Sequence, residues 1–264
     1  MPQMTDGICN ICGSKSRRGY LEFKDKGREV VVCGGCKTAR TFPYSDIDYK
    51  EQEFYCEHYI KNEDLFRGFA KDMVGIVKRY KDSGRLLDIG CAVGFLLEEA
   101  KNSGFEAHGI ELNEKAAAFT SAKGFDVRRS QLKSAGYGEN SFDVVILNHV
   151  LEHIILPNTF LQEIRPVLKE DGLVVIGVPN HDSLVAGLYG TRWYGWGMPE
   201  HIWHFDRNSL ESLLLKNNFK IKGLVRNSQH YAFSKSLRKN TMAVVARAGN
   251  ALGAGDQLIA LAGK

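Results

Sequence analysis

Cys9 and Cys12 form one C-x2-C pair, and Cys33 and Cys36 form a second. Four thiolates on two tight knuckles can enclose a single tetrahedral ion, and Gly13, Gly34 and Gly35 suit the turns that aim backbone amides at sulfur. Between the pairs, GYLEFKDKGREVVV reads as two strands joined by a turn at Asp25–Gly27. About forty residues bury too little apolar surface to hold a fold unaided, so a staple is required. A disulfide framework is the alternative. The start MPQMTDGICNICG, however, lacks a basic segment followed by an apolar run. No secretory signal is expected, the localisation expected is cytoplasmic, and thiols there stay reduced. The pattern predicts one structural Zn2+ on Cys9, Cys12, Cys33 and Cys36, with no open position for a catalytic water. Cys56 and Cys91 stand alone and are read as small packed residues.

A second chemistry-bearing pattern lies in RLLDIGCAVGFLLEEAKNSG, residues 85–104. An apolar strand ends at Asp88, a turn carries Gly90 and Gly94, and an amphipathic helix follows. Gly90 lets backbone approach a ligand closely, and Gly94 allows a tight entry into the helix. Phe95 stands where a dinucleotide fingerprint would place its last glycine, which excludes that fingerprint. Glu111 closes the next strand, 21 residues after Gly90. A carboxylate at such an edge can accept both hydroxyl protons of a ribose. The third pattern is histidine with carboxylate. In PEHIWHF, Glu200 and His201 are adjacent, and an imidazole near neutral pKa can take a hydroxyl proton while a carboxylate orients it or takes its place. His204 can instead cap local structure. His149 and His153 bracket LEH at a spacing that would suit a metal pair on a helix.

These residues need elements to position them. FDVVILNHVLEHI (142–154) reads as a buried strand running into a polar turn and a helix start, PNTFLQEIRPVLKEDG as a helix, and LVVIGVPN as the fifth strand. The β-α alternation predicts a doubly wound parallel α/β sheet whose ligand lies at the strand C-termini. FKIKGLVRNSQHYAF and DQLIALAGK read as two closing strands with a helical connection between them. A helix is predicted from Glu57 to Lys81, ending at Ser83-Gly84. The organisation expected is therefore a zinc-ribbon module over 1–40, a linker and entry helix over 41–83, and a catalytic domain over 84–264 with a substrate-loop insertion near 180–205. That insertion holds all three tryptophans, Trp193, Trp196 and Trp203. An aromatic loop of this kind either walls a pocket or packs as core.

Composition agrees with this scale. The chain has 264 residues, 44% hydrophobic and 25% charged, which is globular, and no apolar run reaches the roughly 18 residues of a membrane span. The net charge of +4 divides into +4 over residues 1–40 (8 basic, 4 acidic), −7 over 41–200 (17 and 24) and +7 over 201–264 (10 and 3). Neither basic segment has the Lys/Arg density of a nucleic-acid arm.

LLDIGCAVG, GIELN, SFDVVILNHVLEH and RPVLKEDGLVVIGVPN, in that order, resemble the successive motifs of class I S-adenosylmethionine-dependent methyltransferases. The resemblance runs from about residue 84 to the C-terminus. It implies a seven-stranded Rossmann-like sheet with one antiparallel closing strand, and S-adenosylmethionine as cofactor. It places Asp88, Gly90 and Gly94 around the methionine portion, Glu111 on the ribose, and Asn148–His149 beside the methionine end. Leu112, Gln131 and Leu132 complete the implied cofactor-binding set, although the family's usual acidic residue against adenine is Gln131 here and its middle motif glycine is Ala92. It also turns His149 and His153 into cofactor-side or packing residues rather than a metal pair. PEHIWHF followed by DRNSLESLLLKNNF resembles small-molecule and sugar methyltransferases, some of which also begin with a four-cysteine module; they carry a further C-terminal domain with no counterpart in this sequence. The implied acceptor is a small hydroxylated molecule, such as a sugar, a nucleotide-linked sugar or a secondary metabolite. The alternative is an RNA methyltransferase using the zinc module for recognition. The absence of a basic stripe and of an Asn-Pro-Pro-Tyr-like motif counts against it, so nucleic acid is not expected as a partner.

Overall fold

A computed structural model of the chain describes residues 8–23, 27–43, 55–228 and 237–264. The Asp25–Gly27 turn, most of the expected linker and the end of FKIKGLVRNSQHYAF lie wholly or partly outside them. The N-terminal strands are β1 (Arg17–Phe23), β2 (Arg28–Cys33) and β3 (Ala39–Phe42), a meander with antiparallel pairing of β1 with β2 and of β2 with β3. The third strand goes beyond the sequence reading, which ended the module at residue 40. After the second cysteine knuckle the chain turns back, and Thr41 faces Val30 across the ladder.

The expected entry helix is two helices, α1 (Tyr55–Lys61) and α2 (Glu63–Val77). Asn62 breaks them with φ −113° and ψ 30°, and its side-chain amide donates to the His58 carbonyl at 2.8 Å. An asparagine side chain that serves nearby backbone competes with helix continuation.

From there strands and helices alternate: β4 (Gly84–Ile89), α3 (Phe95–Asn102), β5 (Phe105–Ile110), α4 (Glu114–Ala122), β6 (Asp126–Arg128), β7 (Phe142–Asn148), α5 (Pro157–Val167) and β8 (Leu168–Pro179). The chain continues through α6 (Leu184–Tyr189), β9 (Trp203–His204), α7 (Arg207–Lys216), β10 (Lys220–Asn227), α8 (Leu237–Ala251) and β11 (Gln257–Gly263). Seven strands form a mixed sheet in the order β10-β11-β8-β7-β4-β5-β6, as the α/β prediction requires. β4 pairs in parallel with both β5 and β7, and the order reverses beside it, which marks a ligand edge in doubly wound sheets. No described helix is long and apolar enough to cross a membrane.

The described residues form two compact units. One draws on Ile47–Asn148, Gln162–Val175 and Leu261–Lys264, and its centre is β4, β5 and β7 with a nearly continuous buried apolar run from Leu86 to Leu97. The other draws on Met1–Asp46, His149–Leu161 and Ile176–Ala260. Here β9 joins the N-terminal meander, giving a sheet ordered β1-β2-β3-β9 in which Ala39 faces His204 and Arg40 faces Trp203. Its core gathers Phe23, Val30 and Ala39 from the meander with Val185, Ala186, Trp193, Trp196 and Ala246. The Trp193 and Trp196 rings meet edge to face at 5.4 Å, and Phe23 meets Trp196 at 5.8 Å. All three tryptophans are buried, so in them the aromatic segment packs as core.

Truncating Trp196 removes the ring at the centre of this cluster. Trp196→Ala is expected to lower the unfolding free energy by about 3–5 kcal/mol, read from urea unfolding. A loss below about 1 kcal/mol would show that the ring is not core.

Candidate functional site

The C-terminal edge of the parallel strands is built by register. Ile89 lies opposite Ile110 on β5 and Leu147 on β7, so Gly90, Glu111 and Asn148 leave their strands side by side. Gly90 is exposed between buried neighbours, which offers its backbone at the edge. Gly94 (φ +84°) starts α3, and a Cβ there would come within 2.5 Å of Thr120 Cγ2 on α4, so the turn can lie this close only with glycine.

Glu111 is buried, and both its oxygens are held by backbone. Oε2 accepts from Ala92 N at 2.8 Å and Oε1 from Asn113 N at 2.8 Å. A carboxylate has about four lone-pair sites, so capacity for a further donor remains. Burial raises the Glu111 pKa, and the N–H groups of Asn113, Ala92 and Leu112 pull it back. Asp88, one strand over, is pushed up to about 7 by burial first and by the Glu111 charge second. Two buried acids beside an exposed glycine backbone form a cradle suited to hydroxyl donors and to a positively charged group. Leu112 is half-buried beside Glu111; Gln131 is exposed ahead of a short 3-10 turn, Leu132–Ser134, in which Leu132 is buried.

In the second unit the four expected metal ligands come together. Cys9 Sγ lies 3.7 Å from Cys36 Sγ, and Cys12 Sγ 3.6 Å from Cys33 Sγ, with all four sulfurs within 4.8 Å of one another. Metal–sulfur bonds of about 2.3 Å in a tetrahedron put sulfurs about 3.8 Å apart. A disulfide needs contact at about 2 Å, and all described cysteines are free. Hydrogen bonding from Cys9 leads the lowering of Cys36 to about 4, while Cys9 itself is raised by the same bond and by burial. The donor set fits zinc.

The same unit holds the histidines. His149, immediately after Asn148, sits at φ +56° and donates through Nδ1 to Glu152 Oε1 at 3.1 Å. Residues Leu151–His153 form a single 3-10 turn, not the helix start expected for the His149/His153 pair. One ligand atom each of Glu152, His153 and His201 lies within 4.8 Å of the others, and the His153 and His201 rings meet at 4.7 Å. Both imidazoles are fixed by carbonyls: His201 Nδ1 donates to Gly195 O at 2.9 Å and His153 Nδ1 to Glu200 O at 3.0 Å. Carbonyls only accept, so the lone pair of each ring is on Nε2. A Cβ at Gly197 would strike the His201 ring, so the ring's seat requires glycine.

This corrects the sequence pairing in one respect. Glu200 reaches the cluster through its main chain, and its carboxylate makes no hydrogen bond or ion pair among the described residues. The carboxylate beside His201 is that of Glu152, fully buried, with Oε2 lacking a hydrogen-bond partner. Burial opposes its charge, but the His149 hydrogen bond and the fields of His149, His153 and His201 hold it down to about 2. Burial pushes His201 down to about 4, against the pull of Glu152. The sequence signal for Glu152 is LEH itself, a carboxylate between His149 and His153. His204 is buried, kept neutral by that burial, and bonded through Nε2 to Thr41 Oγ1 at 2.8 Å.

A family model described as a methyltransferase domain matches residues 62–222. Over 169 residues the chain is 30% identical to a ubiquinone biosynthesis O-methyltransferase of Cereibacter sphaeroides, covering 58% of this chain and 68% of that one. Over 138 residues it is 27% identical to an uncharacterised protein of Methanocaldococcus jannaschii, covering 52% and 65%. The chain thus spans about two thirds of the length of these curated relatives. Among solved structures, an S-adenosylmethionine-dependent methyltransferase from Archaeoglobus fulgidus superposes with a TM-score of 0.58 at 21% identity, covering 78% of this chain and 99% of that one.

The depressed His201 has a consequence for stability. Its ordinary value is 6.5 and its folded value about 4. Below 6.5 the unfolded chain takes a proton that the folded chain declines, so stability present above pH 6.5 is lost progressively down to about pH 4. Between pH 7 and pH 5, urea unfolding should show a larger loss in the wild type than in His201→Gln. Equal losses would mean that the folded imidazole is not depressed.

Proposed function

The chain belongs to the methyltransferase-domain family, and from that premise we propose that it moves a methyl group from S-adenosylmethionine to a small hydroxylated acceptor. S-adenosylmethionine supplies an electrophilic methyl on a sulfonium sulfur; the protein's own work is to bind, orient and take a proton. Glu111, with lone pairs in reserve, accepts the ribose hydroxyls. Asp88, Gly90 and Gly94 form the cradle for the methionine portion. Leu112, Gln131 and Leu132 flank the base, and Asn148 and His149 stand at the methionine end. The observation that carries this reading is Glu111: a buried carboxylate anchored by Ala92 N and Asn113 N at a parallel-strand edge, with acceptor capacity left over.

His201 is the proton acceptor. Its Nδ1–H is committed to Gly195 O, which leaves Nε2 as the basic atom; burial keeps the ring neutral but weakens it as a base until a partner charge offsets the burial. The ionised Glu152 beside it favours the imidazolium that forms. Cys9, Cys12, Cys33 and Cys36 would hold zinc in a structural role, since four thiolates leave no position for a catalytic water. A ubiquinone O-methyltransferase among the relatives supports an acceptor that is a small hydroxylated molecule. The +7 charge of residues 201–264 suits an anionic one, such as a nucleotide-linked sugar.

Calorimetry with S-adenosylhomocysteine tests the cofactor site: Glu111→Ala should weaken binding at least about tenfold, and unchanged affinity would overturn the assignment. His201→Ala should lower turnover by about 10²–10⁴ while keeping S-adenosylhomocysteine affinity. Full turnover in that variant would remove His201 as the base.

A further inference from the structure

Thr41 is fully buried on β3, within the cysteine module, and makes three separate contacts with the segment that carries His201. Its hydroxyl donates to His201 O at 2.9 Å, its backbone N donates to Ile202 O at 3.0 Å, and its Oγ1 meets His204 Nε2 at 2.8 Å. A hydroxyl has one proton. With that proton on the His201 carbonyl, Oγ1 accepts from His204, which must then carry its hydrogen on Nε2. His204 Nδ1 is buried with no partner, as a neutral ring of this tautomer presents it, so the geometry is consistent from both sides. On the opposite side, Ile202 N donates to Glu152 O at 2.8 Å and Trp203 Nε1 to Ile154 O at 2.9 Å. The 201–204 strip is therefore bonded to β3 along one side and to the Glu152 turn along the other.

We propose that Thr41 is a positioning residue for His201, through which the cysteine module fixes the proton acceptor against Glu152. The inference rests on the reading of His201 as the base. Valine has the same shape as threonine, but it would take the hydroxyl donor from the half-buried His201 carbonyl and leave the buried His204 N–H without its acceptor. Serine keeps the hydroxyl. The module is then more than a folding staple: the strand that follows its second knuckle is the arm that holds the catalytic segment.

The test compares zinc-loaded wild type, Thr41→Val and Thr41→Ser. Thr41→Val is expected to lower kcat about tenfold with S-adenosylhomocysteine affinity and zinc content unchanged, and to shift the His201 and His204 imidazole resonances. Thr41→Ser is expected to retain wild-type kcat and resonances. Wild-type kcat and resonances in Thr41→Val, or an equal fall in Thr41→Ser, would overturn the proposal. A second measurement does not depend on a variant folding. Removing the metal from wild type with a chelator should speed amide exchange at residues 201–204 together with 39–42, and unchanged exchange at 201–204 would overturn it. Should His201→Ala keep full turnover, the base assignment fails, while the resonances and the exchange still decide whether Thr41 holds the segment.

Discussion

The strip from His201 to His204 must satisfy its backbone polar groups on two sides at once. It is too short to form a ladder of its own, and it is mostly buried. Unpaired amides and carbonyls in such a place cost on the order of 1–3 kcal/mol each. β3 supplies one side and the turn at Glu152 the other. Much else in this unit follows. The cysteine knuckle aims β3, β3 aims the strip, and Trp203, carried on the strip, is covered by the Arg40 guanidinium at 4.8 Å.

Glu152 adds an electrostatic constraint. A fully buried carboxylate stays charged only with donors and positive charge close by. His149 donates to it directly, and His153 and His201 lie within reach of the same group. The carbonyls of Gly195 and Glu200 in turn fix the tautomers of His201 and His153. Each member of this cluster is thus oriented by a neighbour that is itself held by backbone. That is the condition for proton transfer at a defined atom rather than at either nitrogen of a rotating ring.

The sheet edge meets its own demand differently. Among the described residues Glu111 makes no ion pair; backbone N–H groups from the glycine turn and from the start of α4 stabilise it. Using the turn's own amide to hold the acid ties the shape of the Asp88–Gly94 loop to the position of the carboxylate. Close packing at Gly94 against Thr120 closes the same loop from the helix side.

Much of this was legible in the residues. The alternation of strands and helices, the turn at Gly90 and Gly94, the acid at Glu111 and the two cysteine pairs are local patterns, and local patterns encode local structure. Three-dimensional pairing was not legible in the same way. The break at Asn62 depends on one side chain serving the His58 carbonyl. Glu152 replaced Glu200 beside His201 because adjacency in sequence does not say which way a side chain points, and Glu200 enters through its carbonyl. Trp193 and Trp196 proved to be core because partners far away in sequence, Phe23 and Val30, cover them. By itself the sequence determined the fold class and the methyltransferase motifs, and it pointed to the four cysteines that the fold gathers, since each rests on periodicity or on spacing within a few tens of residues. Only the tertiary structure decided that β3 pairs with β9 and that Thr41 touches His201, 160 residues away. Such contacts belong to neither segment alone; they exist because buried backbone groups on both must find partners when the chain closes.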